Sequence, residues 1–173
     1  MRQDPKMQNV VNLLGWSEPN KEVSRFRYLR LAQEETYIMY VADNIYNDYP
    51  DFIEHPFHLI GEKLKRIVSL YQPNSELETV VLVEQKNEKQ TAYYSIEVPE
   101  VDCASDLCAR YFGKIKDIIL DVKKVGNQRI FKVEGDPRLI VRLDVAESIL
   151  RRIPLGIVFE RVELEQKEGE DDE

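Results

Sequence analysis

Two amphipathic stretches, each followed by a break and then by an apolar run of strand length, constrain the fold of this chain most strongly. The first, FHLIGEKLKRIVSLY at 57–71, places its apolar residues at helical spacing: Leu64, Ile67, Val68 and Tyr71. Pro73 ends it, and TVVLVE at 79–84 follows as a predicted strand. The order predicts a helix that packs on a sheet.

The second stretch repeats this order near the end of the chain. Asp144 is a predicted N-cap for a helix from Val145 to about Arg152, and a strand is predicted at 156–164 after Pro154. A shift of 82 residues superposes the two apolar helix faces. Internal duplication is one interpretation, and chance alignment of two amphipathic helices is the other.

The remaining apolar runs are of strand length. We predict strands in 25–31 and at 36–41, a hairpin joining 79–84 to 91–98, a second hairpin joining 116–122 to 129–135, and a short strand at 139–142. The predicted class is therefore α+β, with a mostly antiparallel sheet and strand–helix–strand units packed on one face. We expect a single domain over 1–164 and a disordered acidic tail at 165–173.

Charge is distributed unevenly along the 173 residues. Lys and Arg number 24 and Asp and Glu 32, which gives a formal net charge of -8. The tail alone holds six acids and one base. A net acidic chain is poorly suited to binding a phosphate backbone, so we expect no nucleic-acid partner.

Location and redox state follow from what the sequence contains. The first residues hold no apolar run of signal-peptide length, and no apolar run is long enough to span a bilayer. We therefore expect a cytoplasmic protein with no membrane partner. Cys103 and Cys108 lack the spacing of zinc or redox motifs, so we expect reduced structural thiols.

The segment from Leu31 to Glu62 contains no Lys or Arg but seven acids, interleaved with tyrosines and phenylalanines. Aromatic residues are enriched at protein interfaces, and acidic side chains speed encounter with a basic partner. The loop at 43–54 is therefore the predicted partner-binding surface, with these candidate residues: Asp43, Tyr46, Asp48, Tyr49, Asp51, Phe52 and Glu54. The alternative is that the aromatics pack in strands and the Asp and Asn residues form turns.

Enzymatic function has little support in the sequence. Phosphate-binding glycine loops and serine-nucleophile motifs are missing, and we expect no cofactor. His55 and His58 are the one histidine pair, and with nearby acids they define an alternative, a small metal-dependent or hydrolytic enzyme. A third alternative is a regulatory domain that forms a homodimer through the edge of a hairpin, 79–98 or 116–135.

Three pieces of the chain, taken in order, resemble the immunity-protein superfamily of bacterial polymorphic toxin systems, the families numbered eleven and forty-three. They are FHLIGEKLKRIVSLYQPNSELETVVLVEQ, YYSIEVPEVDCAS, and the segment from IILDV to RVEL with its IF-x-V-x-G and GI-x-F patterns. The resemblance covers about 36–164. It implies an α+β fold and a non-enzymatic cytoplasmic protein that binds and neutralises a cognate toxin. It supplies no binding residues.

Overall fold

The computed structural model describes residues 1–14, 36–44, 46–111 and 114–165, and the elements below belong to these residues. The helices are α1 (Glu62–Tyr71), α2 (Val122–Val125) and α3 (Leu143–Leu150). The first seven strands are β1 (Arg2–Gln3), β2 (Thr36–Tyr40), β3 (Phe52–Ile53), β4 (Leu59–Ile60), β5 (Leu77–Glu84), β6 (Lys89–Ile96) and β7 (Glu100–Val101). The later strands are β8 (Arg110–Tyr111), β9 (Lys114–Ile115), β10 (Ile119–Leu120), β11 (Ile130–Val133), β12 (Leu139–Val141), β13 (Ile157–Val158) and β14 (Glu163–Leu164).

The largest sheet has five strands in the order β2-β5-β6-β4-β3. Its pairs are antiparallel except β2 with β5, which run parallel. A three-stranded sheet of order β12-β11-β7 and three two-stranded pairs (β1 with β13, β10 with β14, β8 with β9) account for the other named strands. The chain has an α+β fold with mostly antiparallel sheets, as predicted.

The helices pack side by side on the core in opposite directions. Tyr71, at the end of α1, places its hydroxyl 2.7 Å from Ser148 Oγ and 3.2 Å from the carbonyl oxygen of Asp144, both in α3. The buried sides of both helices enter one apolar cluster with residues from the five-stranded sheet and from β11 and β12. The two strand–helix–strand units therefore share a core.

Several local predictions are confirmed. The hairpin is present as β5 and β6, which pair from Leu77 with Ile96 to Glu84 with Lys89. The strand predicted at 36–41 is present as β2, and the short strand at 139–142 as β12. The strand predicted in 25–31 lies outside the described residues. Of the tail predicted to be disordered, 165–173, the structure describes only Glu165, whose backbone N–H donates to the carbonyl oxygen of Leu120 at 2.8 Å.

The start of the first helix is a correction. The apolar periodicity predicts a helix from residue 57, but Leu59 and Ile60 form β4, and α1 begins at Glu62. Leu59 and Ile60 pair with Ser95 and Tyr94 of β6, so their backbone groups belong to the sheet. The start of α3 also differs, because Arg142 is the N-cap residue and Asp144 lies within the first turn.

The second predicted hairpin is wrong. Strand β10 pairs with β14 in parallel, whereas β11 lies between β12 and β7. Residues 122–125 form α2 instead, and the Asp121 carboxylate caps it by accepting a hydrogen bond from the backbone N–H of Lys123. The strand predicted at 156–164 is present only as two short pieces, β13 and β14. In the first hairpin β5 lies between β2 and β6. Strand β6 pairs with β4 only at Tyr94 and Ser95, so among the described strands its residues 89–93 pair with β5 alone, and a homodimer through this edge stays a prediction.

Candidate protein-interaction site

A buried carboxylate organises the base-free region of the chain. Along β5 the side chains alternate, with Val80, Leu82 and Glu84 on the buried side. Glu84 is only 2% exposed, although it is charged. It lies at the end of β5. Near this point the chain leaves β2, at one edge of the five-stranded sheet, and crosses to β3 at the opposite edge.

Neutral donors satisfy this carboxylate. Its Oε1 accepts hydrogen bonds from the backbone N–H of Asn44 (3.1 Å) and from the side-chain amides of Asn47 (3.2 Å) and Asn87 (2.7 Å). Its Oε2 accepts from the Tyr49 hydroxyl at 3.1 Å. Among the residues that the structure describes, none of the Lys or Arg side chains forms an ion pair with Glu84.

The hydrogen bonds set the protonation state of the cluster. Burial alone would raise the pKa of Glu84, but the donors from Asn44, Asn87, Tyr49 and Asn47 outweigh it and lower the pKa below its ordinary value. Burial, together with the neighbouring Glu84, raises the pKa of Tyr49 to about 12. The carboxylate is therefore ionised at neutral pH, and the phenol keeps the proton that it donates.

Further hydrogen bonds fix the loop that covers Glu84. The Asn44 side chain accepts from the backbone N–H of Tyr46 at 3.0 Å, and the Asn47 amide donates to the carbonyl oxygen of Ala42 at 2.7 Å. The Asp43 carboxylate accepts from the backbone N–H of Lys86, in the turn between β5 and β6, at 3.0 Å. We call residues 43–49 the acidic loop, with Ile45 outside the described residues.

The predicted binding residues divide into two groups. Asp43 and Tyr46 are exposed, Tyr46 at 68%, and Asp48 and Tyr49 are half-buried in the same loop. A depression of about 520 Å³ lies beside them between Asn44, Asn47, Glu84 and the residues that begin the next strand. None of these four predicted residues is fully buried, so each can still contact a partner.

The other three predicted residues have structural contacts. The Asp51 carboxylate accepts from the backbone N–H of Leu155 at 2.7 Å and pairs with Lys63 at 3.2 Å. Glu54 accepts from the backbone N–H of Gln3 at 3.2 Å. Phe52 is fully buried in the core, which corrects its assignment to an exposed surface, because a side chain with no exposed area cannot meet a partner.

The histidine pair lies in the turn between β3 and β4. His55 is exposed, whereas His58 is half-buried with its ring 5.5 Å from the Phe52 ring. Burial, with a smaller contribution from the positive charge of Lys132, lowers the pKa of His58 to about 4, so the imidazole is neutral at pH 7. The described part of the chain holds no group of three His, Cys, Asp or Glu residues that could bind a metal ion.

Both cysteines are free and buried. The Cys108 thiol donates to the carbonyl oxygen of Ile119 at 3.2 Å and accepts from the N–H of the same residue at 3.3 Å. Burial, and then the nearby Asp102, raise the pKa of Cys103. Both features suit unreactive core thiols.

A second buried carboxylate lies in the C-terminal half, where arginines are frequent. The Asp136 side chain is 5% exposed and receives two hydrogen bonds from the Arg138 guanidinium, at 2.8 and 2.6 Å. Arg138 also donates to the carbonyl oxygens of Ile115 (2.9 Å) and Lys116 (3.2 Å). Burial would raise the pKa of Asp136, but Arg138 more than offsets it and lowers the pKa. Sequence reasoning missed both buried carboxylates.

Among the described residues, no helix combines the length and the apolar character that crossing a bilayer requires. Comparisons with protein families, with curated proteins and with solved structures found no match to this chain.

Proposed function

We propose that this chain is a non-enzymatic protein-binding module that uses the acidic loop to recognise a partner with a basic surface. The observation that carries the proposal is the hydrogen-bond network of Glu84, which holds an exposed acidic and aromatic loop in one conformation. A loop that is ordered before binding loses less conformational entropy when the partner arrives. Ordering therefore favours tight binding.

The charge of the site supports a basic partner. Asp43, Asp48 and Glu84 contribute negative charge. Two bases lie beside them: Lys86, whose backbone N–H donates to Asp43, and Lys89, whose ammonium lies 3.8 Å from the centre of the Tyr49 ring. A net negative surface raises the association rate with a positive one, and the effect falls as salt is added. The exposed Tyr46 ring adds a large apolar contact at low entropic cost.

An immunity role is the specific form of this proposal. An inhibitor of a toxin must bind fast and tightly, and a rigid acidic surface suits a toxin whose active site is basic, such as a nuclease. The resemblance of 36–164 to polymorphic-toxin immunity proteins points the same way. The proposed partner is thus the product of a neighbouring gene, and the site of action is the cytoplasm.

The test combines growth and binding. The neighbouring open reading frame is expressed alone and together with this protein, and coexpression should restore growth. Charge reversal of Asp43 and Asp48 to Lys should slow association with the purified partner roughly tenfold or more at low salt. The matched control reverses Asp106 and Glu134, two exposed acids outside the loop. Equal slowing in both variants, or a harmless neighbouring product, would reject the proposal.

A further inference from the structure

Strand β6 leaves part of one edge of the five-stranded sheet uncovered. It pairs with β5 along its whole length, but β4 lies against its other side only at Tyr94 and Ser95. None of the described strands pairs with residues 89–93 on that side. We call residues 89–93 the open edge. Since Lys89, Gln90 and Ala92 are exposed, the open edge faces solvent.

Two residues of the open edge direct their backbone polar groups outward. Successive residues of an antiparallel strand direct their N–H and C=O groups alternately to the two sides of the strand. The Ile96 N–H donates to the carbonyl oxygen of His58, on the β4 side, at 3.2 Å. Because Ala92 and Gln90 lie four and six residues before Ile96 in the same strand, their backbone groups point to that side too. A further extended chain alongside β6 would satisfy all four groups.

The open edge has few of the features that usually keep strand edges apart, which are prolines, bulges and charged side chains. Residues 89–93 include no proline. The pairing with β5 is continuous over all eight residues of β6, so there is no bulge. The one charged side chain, Lys89, holds its ammonium 3.8 Å from the centre of the Tyr49 ring of its own chain. It is therefore engaged with the acidic loop.

The sheet face beside the open edge is uncharged. Two rows of side chains cross β2, β5 and β6 on the side opposite Glu84: Ile38, Val81 and Ala92 in one row, and Tyr40, Val83 and Gln90 in the other. All six are at least partly exposed. Since none of them is charged, an identical chain can approach this face without electrostatic repulsion.

We propose that the open edge pairs antiparallel with the open edge of a second copy, about a two-fold axis at Thr91. In this register Gln90 of each copy lies opposite Ala92 of the other, and the two residues exchange both backbone hydrogen bonds. All four outward groups of each copy then have a partner. The homodimer raised as an alternative by the sequence thereby gains a strand and a register.

The side chains of the open edge also match a second copy. The two Thr91 side chains meet across the axis, and such a cross-strand pair is favourable. Lys89 lies opposite Tyr93 of the other copy, so no like charges are opposed. The two-fold axis brings a strand of equal length to each edge, whereas an unrelated chain would need an extended segment of its own that fits between β4 and the turn at 85–88.

The test measures association of the full chain and protection of its edge amides. The interface is small, so sedimentation velocity from about 5 to 500 µM should show a monomer converting to a dimer. Amide exchange at Gln90 and Ala92 should slow roughly tenfold at the upper concentration, because their N–H groups become hydrogen-bonded. Exchange at Thr91 should change little, since its N–H already faces β5.

Paired charge variants test the register. Gln90→Lys combined with Ala92→Lys places like charges opposite each other twice and should weaken dimerisation roughly tenfold or more. The matched control, Gln90→Lys combined with Ala92→Glu, changes the same two exposed positions but sets Lys opposite Glu. It should dimerise at least as well as the unchanged chain.

Three results would overturn the proposal: a chain that stays monomeric at about 500 µM, a dimer that persists in the double-lysine variant, or equal weakening in both variants. The first would also be the result if the open edge served an unrelated chain. The Asp43 and Asp48 variants should dimerise normally, so failure of the acidic loop to bind a partner would leave this result unchanged.

Discussion

Glu84 and Asp136 are both buried carboxylates, but the two halves of the molecule stabilise them differently. Glu84 lies under the acidic loop and accepts hydrogen bonds from amides, a backbone N–H and a phenol. Asp136 lies beside β11 and β12 and is paired with the guanidinium of Arg138. Both arrangements lower the pKa of the carboxyl group.

The two carboxylates differ in the net charge that remains once their hydrogen-bond donors are counted. Neutral donors stabilise the Glu84 carboxylate without cancelling its charge, so its field adds to that of Asp43 and Asp48. Arg138 neutralises Asp136, and the pair serves to hold the backbone at Ile115 and Lys116. A buried acid can thus build a charged surface or lock a fold, and its partner decides which.

The largest loss of stability should come from removing Arg138, the charged partner of Asp136. Arg138→Met should lower the free energy of unfolding by about 3–5 kcal/mol, because Asp136 is left buried and unpaired. Urea unfolding at pH 7 measures it. The matched control is Arg142→Met, which removes an exposed pair with Asp144 and should cost about 1 kcal/mol or less.

The acid response of Arg138→Met provides a second check on the same variant. Without Arg138, burial raises the Asp136 pKa above its ordinary value of 3.8. The folded state then holds the proton more tightly than the unfolded state, so the variant's deficit should shrink as pH falls. A deficit that is constant with pH would mean that packing, and not charge, is lost.

His58 should produce the next largest change in stability, at a pH above the range in which the carboxyl groups of Glu84 and Asp136 titrate. Its folded pKa of about 4 lies below the ordinary 6.5, so between these values the unfolded state binds more protons. Stability should fall by about 3 kcal/mol as pH drops from 6.5 to 4, and His58→Gln should remove this slope. His55→Gln is the control. His55 is exposed, and its charge contributes less than burial to the lowered pKa of His58, so most of the slope should remain.

Substitution of Glu84 tests the buried carboxylate that is held by neutral donors. Glu84→Gln keeps one acceptor and should lower the melting temperature little, whereas Glu84→Ala leaves four donors without their acceptor and should lower it by several degrees. Amide hydrogen exchange should rise at Asn44 and Tyr46 in the alanine variant. Unchanged exchange at these two residues would mean that Glu84 does not order the acidic loop.

Tyr46→Ala should have the smallest effect on stability. The side chain is 68% exposed, so the free energy of unfolding should change by about 0.5 kcal/mol or less. If the acidic loop binds a partner, affinity should nevertheless fall by roughly fivefold or more. Thermal melting and titration calorimetry on the same preparation distinguish a binding residue from a packing residue.

The sequence predicted the fold class and the β5–β6 hairpin because their signals are local. Alternation along 77–84 and a short polar turn suffice for a hairpin. The start of α1 was mispredicted, because residues 57–60 fit a helical period and only pairing with distant β6 makes Leu59 and Ile60 a strand. The false second hairpin has the same cause, since β10 finds its partner at Glu163 and Leu164, far along the chain.

The candidate site was predicted in part. The absence of bases identified the acidic loop, but the count of acids could not separate exposed Asp43 from Asp51, which is committed to Leu155 and Lys63. One available signal was overlooked. In the alternation Val80, Leu82, Glu84 the acid takes a buried position, and the side-chain amides of Asn47 and Asn87 could have been considered as its donors.

The parallel pairing of β2 with β5 has a consequence for the order of folding. Thr36 pairs with Thr79, more than forty residues along the chain, whereas β5 and β6 are joined by a four-residue turn. Short loops close faster than long ones, so the hairpin is expected to form early and to serve as the template on which β2 docks late. The acidic loop, which begins just after β2, would then reach its final shape only when the sheet is complete.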